Sequence, residues 1–263
     1  MTDKLPRISI ITPSFNQGEF LEETILSVIN QKYPDLEYII MDGGSTDNSV
    51  DVIKKYEDTI SYWVSEPDNG QADAIHRGFS MATGDILAYI NSDDIYFPDS
   101  FRVIAETFMS NPTAQWVVGK GYCIDDKGQF LNRKKYAPVT FINMLFLEDC
   151  VMQPTAFWRK ELYSAVGGID THYQFSFDYD LFLKFVHRFP PVRVNHDIAA
   201  FRIHPQSKTE TIYDVCIKED HEIHRKYYLE GKNPVKYLSY WIFGNVYQRY
   251  YSLLKRISRR NFC

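Results

Sequence analysis

"ISIITPSFNQGEFLEETILSVINQKYPDLEYIIMD", residues 8–42, sets two apolar runs on either side of a stretch with helical period. "ISIIT" (8–12) and "LEYIIM" (36–41) read as strands, and "EETILSVINQ" (22–31) reads as the helix that joins them. A strand, a covering helix and a second strand form the repeating unit of a parallel sheet with helices packed on it. The unit recurs. "TDNSVDVIKKYE" (46–57) predicts a helix capped by Thr46 or Asp47, "ISYWVS" (60–65) a third strand, and "QADAIHRGFSMA" (71–82) a helix stopped by Gly84. "DILAYI" (85–90) is then a fourth strand, and it ends in the adjacent carboxylates of Asp93 and Asp94. In such sheets ligands gather outside the carboxyl ends of the strands, where Asp42 and Asp93 both fall.

Past Pro112 the pattern changes. "QWVVGKGYCIDDKGQFLNRKK" (115–135) predicts two strands joined by a turn at Asp126-Lys127-Gly128, an antiparallel element after the parallel half. "RKELYSAVGG" (159–168) and "YDLFLKFVHRF" (179–189) read as helices, and "VRVNHDIAAFRIH" (192–204) as two short strands; residues 136–151 receive no assignment. The fold class is α/β, with a mostly parallel central sheet, a small antiparallel element and a helical tail.

The chain of 263 residues carries 29 basic and 34 acidic side chains, a net charge of −5 that leaves no general footprint for nucleic acid. Seven basic residues and no acidic one lie from Lys232 onward, which leaves 22 basic against 34 acidic over residues 1–231. The expected organisation is one domain over 1–231, its nucleotide-binding half about 7–110 and its acceptor half about 111–231, followed by a basic, aromatic tail over 232–263. Cys123, Cys150, Cys216 and Cys263 are far apart and show no CxxC spacing, which fits reduced thiols in a cytoplasmic protein. No apolar run approaches the ~20 residues that span a bilayer, and "MTDKLPR" leads directly into a strand. In the tail, Ile242, Val246, Tyr250, Leu253 and Ile257 recur at helical spacing among Trp, Tyr and basic residues. Two readings stand for it: an interfacial helix on the anionic inner face of the cell membrane, or a helix packed on the domain or on a second subunit.

The first strand runs into "TPSFNQGEF", which contains neither GxGxxG nor GxxxxGK[ST], so the usual dinucleotide and ATP cradles are both absent. Asp42 opens "GGSTD", a turn whose glycines let a flat ligand approach the backbone, although Asp before Gly is also ordinary turn chemistry. Asp93 and Asp94 are hard oxygen donors suited to Mg²⁺ or Mn²⁺, ions whose coordination is commonly completed by substrate phosphates. The alternative is that they cap the following turn or the helix near Pro98.

Six blocks, "IITPSFNQGEFLEETILSVINQKYPDLEYIIMDGGSTDNSVDVIKKY", "EPDNGQADAIHRGF", "ATGDILAYINSDDIYFPD", "QPTAFWRKELYSAVGGID", "FDYDLFLKF" and "FRIHPQSKT", follow in an order and spacing that resemble glycosyltransferase family 2 over about residues 7–210. The resemblance implies a GT-A fold and an inverting transfer of sugar from a nucleotide-diphosphate donor, a UDP-sugar first among them. The implied acceptor is a glycan or lipid-linked molecule in bacterial surface polysaccharide assembly, such as lipopolysaccharide or capsule. It implies that Pro13 and Asp42 border the base, that Ser14, Gln71, Asp73, Ser92 and Asp93 contact the nucleotide, and that Asp93, Asp94 and His204 hold Mn²⁺ or Mg²⁺. Asp178 becomes the base that deprotonates the acceptor, with Asp180 its competitor, and Gln153 and Trp158 flank the acceptor. The chain departs from the family at Asn91, Ile75 and Phe177, where Asp, Arg and Glu are common. Two rivals remain in view: a decayed transferase that only binds nucleotide sugar or scaffolds a complex, and a sugar-nucleotide pyrophosphorylase. The latter calls for a Gly-rich loop that "TPSFNQGEF" does not supply.

Overall fold

The structure, a computed structural model, describes residues 5–133, 137–147 and 150–229 together with Val246. Its first half alternates β1 (Ile8–Ser14), α1 (Leu21–Ile29), β2 (Leu36–Asp42), α2 (Ser49–Lys55), β3 (Tyr62–Ser65), α3 (Gln71–Met81) and β4 (Ile86–Tyr89). β1 lies between β2 and β4 and runs parallel to both, with β3 parallel on the far side of β2. The strand–helix–strand reading of residues 8–42 therefore matches the observed elements. Asp47, and not Thr46, holds the start of α2: its carboxylate accepts the Ser49 N–H at 2.9 Å and the Gly18 N–H at 2.9 Å, stapling that helix to the loop after β1. α3 ends at Met81, before Gly84, whose N–H instead donates to the Ser9 hydroxyl at 2.8 Å.

The second half adds β5 (Ile95–Tyr96), α4 (Ser100–Ser110), β6 (Trp116–Ile124), β7 (Phe130–Asn132), α5 (Phe141–Leu147), β8 (Ala156–Arg159), α6 (Lys160–Ala165), α7 (Phe177–Arg188), β9 (Val192–Arg202), α8 (Lys208–Thr211) and α9 (Tyr213–Leu229). The sheet order is β3-β2-β1-β4-β8-β6-β9-β5, with β7 paired to β6. β8 is antiparallel to both its neighbours, so a single mixed sheet carries both halves. The hairpin predicted at 126–128 forms as β6–β7. "VRVNHDIAAFRIH" is not two strands but the continuous β9, eleven residues long and parallel to β6. Its middle, Asn195-His196-Asp197, is polar, and register shifts around Lys120 of the partner strand accommodate it as bulges.

Two apolar layers sandwich the sheet. One face packs Ile11, Tyr89, Trp116 and Trp158 against α3 and α7; the other packs Ile8, Ile10, Tyr38 and Phe157 against α1 and α4. The tail from Lys232 lies outside the described residues apart from Val246, and so do its membrane and dimer readings. Among the described residues no helix is long and apolar enough to cross a membrane.

α3 approaches β1 so closely that a Cβ on Gly78 would stand 2.5 Å from Ile11 Cγ2 and 3.3 Å from Met41 Cγ. Gly78→Ala recovers about 1 kcal/mol of helix propensity, but overpacking a central strand costs about 1–3 kcal/mol and prevails. Chemical denaturation is expected to show a net loss of about 1 kcal/mol for Gly78→Ala. In an Ile11→Ala background, where the obstructing methyl is gone, the same change is expected to stabilise; an additive result would contradict this packing.

Candidate active site

The parallel strands β1, β2 and β4 present their carboxyl ends on one side of the sheet, where Ser14 and Asp42 close β1 and β2 and Asp93 and Asp94 follow β4. Asp93 and Asp94 follow β4 in the tight turn Asn91-Ser92-Asp93-Asp94, closed by the Asp94 N–H on the Asn91 carbonyl at 3.2 Å. The two carboxylates have different fates. Asp94 is 0% exposed; its Oδ1 accepts the backbone N–H of Arg202 at 2.8 Å and its Oδ2 accepts from Asn91 Nδ2 at 3.3 Å. Burial above all, and then the charge of Asp93, push its pKa well up, while the Arg202 N–H and Asn91 pull the other way. Asp94 is thus a buried strut between β4 and β9, unlike the open ligand expected of it. Asp93 stays partly open and sets its Oδ2 3.0 Å from His204 Nε2.

Sequence reading overlooked Arg202, the residue that builds this corner. Its guanidinium is 1% exposed and donates from Nε to the Asp93 carbonyl at 2.7 Å, from Nη1 to the Asp125 carbonyl at 3.1 Å, and from Nη2 to Glu23. It also lies 5.1 Å from the Phe20 ring. A buried cation requires such a full set of partners. Two residues on, His204 packs on Phe20 with ring centroids 4.6 Å apart and meets Gln206 Oε1 through Nδ1 at 3.2 Å. The Asp93 carboxylate beside Nε2 favours the protonated imidazole. Asp93 accordingly raises the His204 pKa above its ordinary 6.5.

At the end of β2, Asp42 is 2% exposed, and four donors of its own surroundings fill its carboxylate: Gly44 N, Ser45 N and Ser65 Oγ on Oδ2, and Ser45 Oγ on Oδ1. Three of these donors crowd Oδ2, and Oδ1 accepts only the Ser45 hydroxyl, at 2.6 Å. Pro13 and Ser14 are buried on β1 in register with Met41 and Asp42, and Ser14 Oγ has no hydrogen-bond partner. The next residue, Phe15, is 60% exposed and also went unnoticed in the sequence. Asp68, likewise passed over, sets its carboxylate against Gly43, where a Cβ would lie 2.9 Å from Oδ2, and burial raises its pKa. On α3, Gln71 donates to Asn91 Oδ1 at 2.6 Å, whereas Asp73 turns back to the Asn69 N–H at 3.1 Å. Ser92 is buried in the turn.

α7 begins against the end of β4, with Phe177 and Tyr89 ring centroids 6.2 Å apart. Asp178 is half-buried in its first turn, and its charge acts on Tyr89 and on Lys208. Asp180 is 0% exposed and paired with Lys184 at 2.6 Å and Lys226 at 3.2 Å, so burial and two ammonium partners remove it as the competing base. Gln153 is buried beneath this region, Nε2 donating to the Tyr89 carbonyl at 2.9 Å and Oε1 unpartnered. Trp158 contradicts expectation outright. β8 lies between β4 and β6, and Trp158 is 0% exposed among Phe79, Tyr163, Phe182 and Phe185, where no sugar ring can reach it.

Among the described residues no group of three His, Cys, Asp or Glu side chains converges as a metal cage. Asp93 and His204 form a convergent pair, and two protein ligands suffice for a hard cation that phosphate and water complete. The nitrogen donor favours Mn²⁺ over Mg²⁺.

The family model described as glycosyl transferase family 2 matches residues 9–174. An uncharacterised glycosyltransferase of Mycobacterium tuberculosis is 32% identical over 183 residues, covering 68% of each chain. A Bacillus subtilis protein, provisionally assigned as the teichuronic acid biosynthesis glycosyltransferase TuaG, is 33% identical over 141 residues, 52% of this chain and 56% of that one. Among solved structures, residues 1–349 of Staphylococcus aureus TarS in complex with UDP-GlcNAc superpose with a TM-score of 0.68 at 16% identity, covering 85% of this chain and 67% of that one. The mannosyltransferase PcManGT of Pyrobaculum calidifontis, in complex with GDP-Man and Mn²⁺, superposes with a TM-score of 0.64 at 19% identity, covering 89% and 68%. With the family model spanning more than half of the sequence and the mixed sheet matching these enzymes, the chain belongs to glycosyl transferase family 2 and has the GT-A fold.

Proposed function

We propose that the domain over residues 1–231 transfers a sugar, with inversion, from a nucleotide-diphosphate donor to a glycan or lipid-linked acceptor in surface polysaccharide assembly. The observation that carries this reading is the Asp93–His204 pair, held at 3.0 Å beyond the carboxyl end of β4, with Asp178 in the first turn of α7, whose Phe177 packs on Tyr89 of the same strand. The donors bound by TarS and PcManGT, and the assignment of TuaG to teichuronic acid, support the nucleotide-sugar class and the pathway. A UDP-sugar is the first candidate. The tail over 232–263 is proposed as the contact with the inner face of the cytoplasmic membrane or with a second subunit.

Asp93 Oδ2 and His204 Nε2 would hold Mn²⁺, which when bound supplies Lewis-acid neutralisation of the departing diphosphate. The protein's own groups do the rest. Phe15 offers a flat apolar face beside Asp42 for the base, and Gln71 with Asn91 lines the approach to the ribose. Asp178, in the first turn of α7 where the helix dipole favours an anion, accepts the proton of the attacking hydroxyl. The new glycosidic bond forms as the bond to the diphosphate breaks, through a transition state of oxocarbenium character like that of glycoside hydrolysis.

A panel of nucleotide sugars assayed for Mn²⁺-dependent nucleotide release tests the reading against a decayed, binding-only protein. Asp178→Asn is expected to lower kcat about 10²- to 10⁴-fold with donor affinity unchanged within about twofold. Retained turnover would remove Asp178 from the role. Phe15→Ala is expected to weaken nucleotide binding by about 1–3 kcal/mol, read by calorimetry, if its ring stacks on the base. The proton on His204 also has a measurable consequence. That proton must leave for a cation to bind, so below the raised pKa the affinity for Mn²⁺ with nucleotide is expected to fall up to about tenfold per pH unit, and His204→Ala is expected to flatten the slope. A slope unchanged by His204→Ala would exclude His204 as a ligand.

A further inference from the structure

The loop that delivers Asp178 is held in a way its own sequence does not announce. Ser176, the N-cap residue of α7, makes no side-chain capping bond. Instead Glu219, on α9, spreads its carboxylate under three consecutive backbone donors: Gln174 N–H to Oε1 at 2.7 Å, and Phe175 and Ser176 N–H to Oε2, each at 2.8 Å. From the other side Lys208 Nζ donates to the Gln174 carbonyl at 2.8 Å and lies 5.9 Å from the Phe177 ring. Gln174 is thus tied at both its N–H and its C=O by side chains of opposite charge. Lys208 follows His204 by one short turn, so the segment carrying the cation pair is fastened to the loop carrying the base. All of this except Gln174 itself lies beyond the family match, which ends at residue 174.

We propose that Glu219 is a positioning residue: it fixes the backbone of Gln174–Ser176 so that Asp178 meets the acceptor hydroxyl. This rests on the reading of Asp178 as the base. Charge-assisted hydrogen bonds to an ionised acceptor are about twice as strong as neutral ones, and three on one carboxylate fix position as well as energy. They bind the residues just before the helix and leave the N–H groups of its first turn to Asp178, whose Oδ1 accepts the Tyr179 N–H at 2.8 Å. The charged and titratable groups around Asp178 are Tyr89 from β4, Lys208 from α8, and Cys216, Glu219 and Asp220 from α9.

The test is a comparison of Glu219→Gln, Glu219→Asp and Asp178→Asn in the full chain, read by kcat, donor KM, nucleotide affinity by calorimetry and Tm. Glu219→Gln keeps the size but presents an amide –NH₂ to a backbone N–H, so the loop must shift. A misplacement of about 1 Å at a reacting group costs on the order of 10²-fold, so kcat is expected to fall about 10- to 100-fold. Donor KM and nucleotide affinity are expected to stay within about threefold, since the pair at Asp93 and His204 is untouched. Glu219→Asp, which keeps the charge on a shorter arm, is expected to fall between Glu219→Gln and wild type, and it carries the test if Glu219→Gln does not fold. A Glu219 variant that folds with wild-type kcat, or that loses kcat and donor affinity in equal measure, overturns the positioning role. Active Asp178→Asn would instead overturn the base assignment on which that role depends.

Discussion

A buried carboxylate at the end of one strand, bound to a backbone N–H of another, fixes the rest of this site. Asp94 reaches from the turn after β4 to the Arg202 N–H on β9, and the Arg202 side chain returns to the Asp93 carbonyl. The two residues therefore brace each other through main chain and side chain together. The same guanidinium gathers the tip of the β6–β7 hairpin and Glu23 of α1. Removing one partner from such a buried set leaves an uncompensated charge, at a cost of about 3–5 kcal/mol. Asp93 and His204 need no contact beyond their neighbours to face each other, because each sits one or two residues from a fixed point.

That arrangement separates two jobs which the adjacency of the aspartates conceals. One carboxylate is withdrawn from solvent and its pKa raised, which suits a strut. The other remains at the surface with an imidazole beside it, which suits ligation. If Asp93 and His204 hold a cation as proposed, such preorganisation lowers the reorganisation left for the reacting complex. Asp178 is set by a second frame, in which α9 and α8 grip the entry to α7 and Lys208 ties it to the segment of His204.

Local periodicity made the first half of the fold legible. Each apolar run in residues 8–42 and 60–90 is a strand, and each helical stretch between them is a helix, because parallel strands and their covering helices obey patterns with short periods. The same reading failed where the deciding partner lies far away in sequence. Nothing near Asp94 announces Arg202, and nothing near Asp180 announces Lys226. Trp158 has the residue type of a sugar platform, yet β8 enters the sheet between β4 and β6 and buries it. The polar interruption in β9 looks like a strand end until the bulges opposite it in β6 are seen. Asp42 and Asp93 stand where strand ends can be read from the sequence; the different burial of Asp93 and Asp94 depends on tertiary contacts that no local pattern encodes.

The central claim is that Asp93 and His204, and not Asp94, hold the cation that meets the donor's diphosphate. Anomalous diffraction at the manganese edge, from crystals grown with Mn²⁺ and a nucleoside diphosphate, tests it most directly. The account predicts one peak in direct contact with Asp93 Oδ2 and His204 Nε2, with Asp94 still bound to the Arg202 N–H. A peak coordinated by Asp94 with that bond broken, or a bound diphosphate whose manganese lies away from both Asp93 and His204, would contradict it.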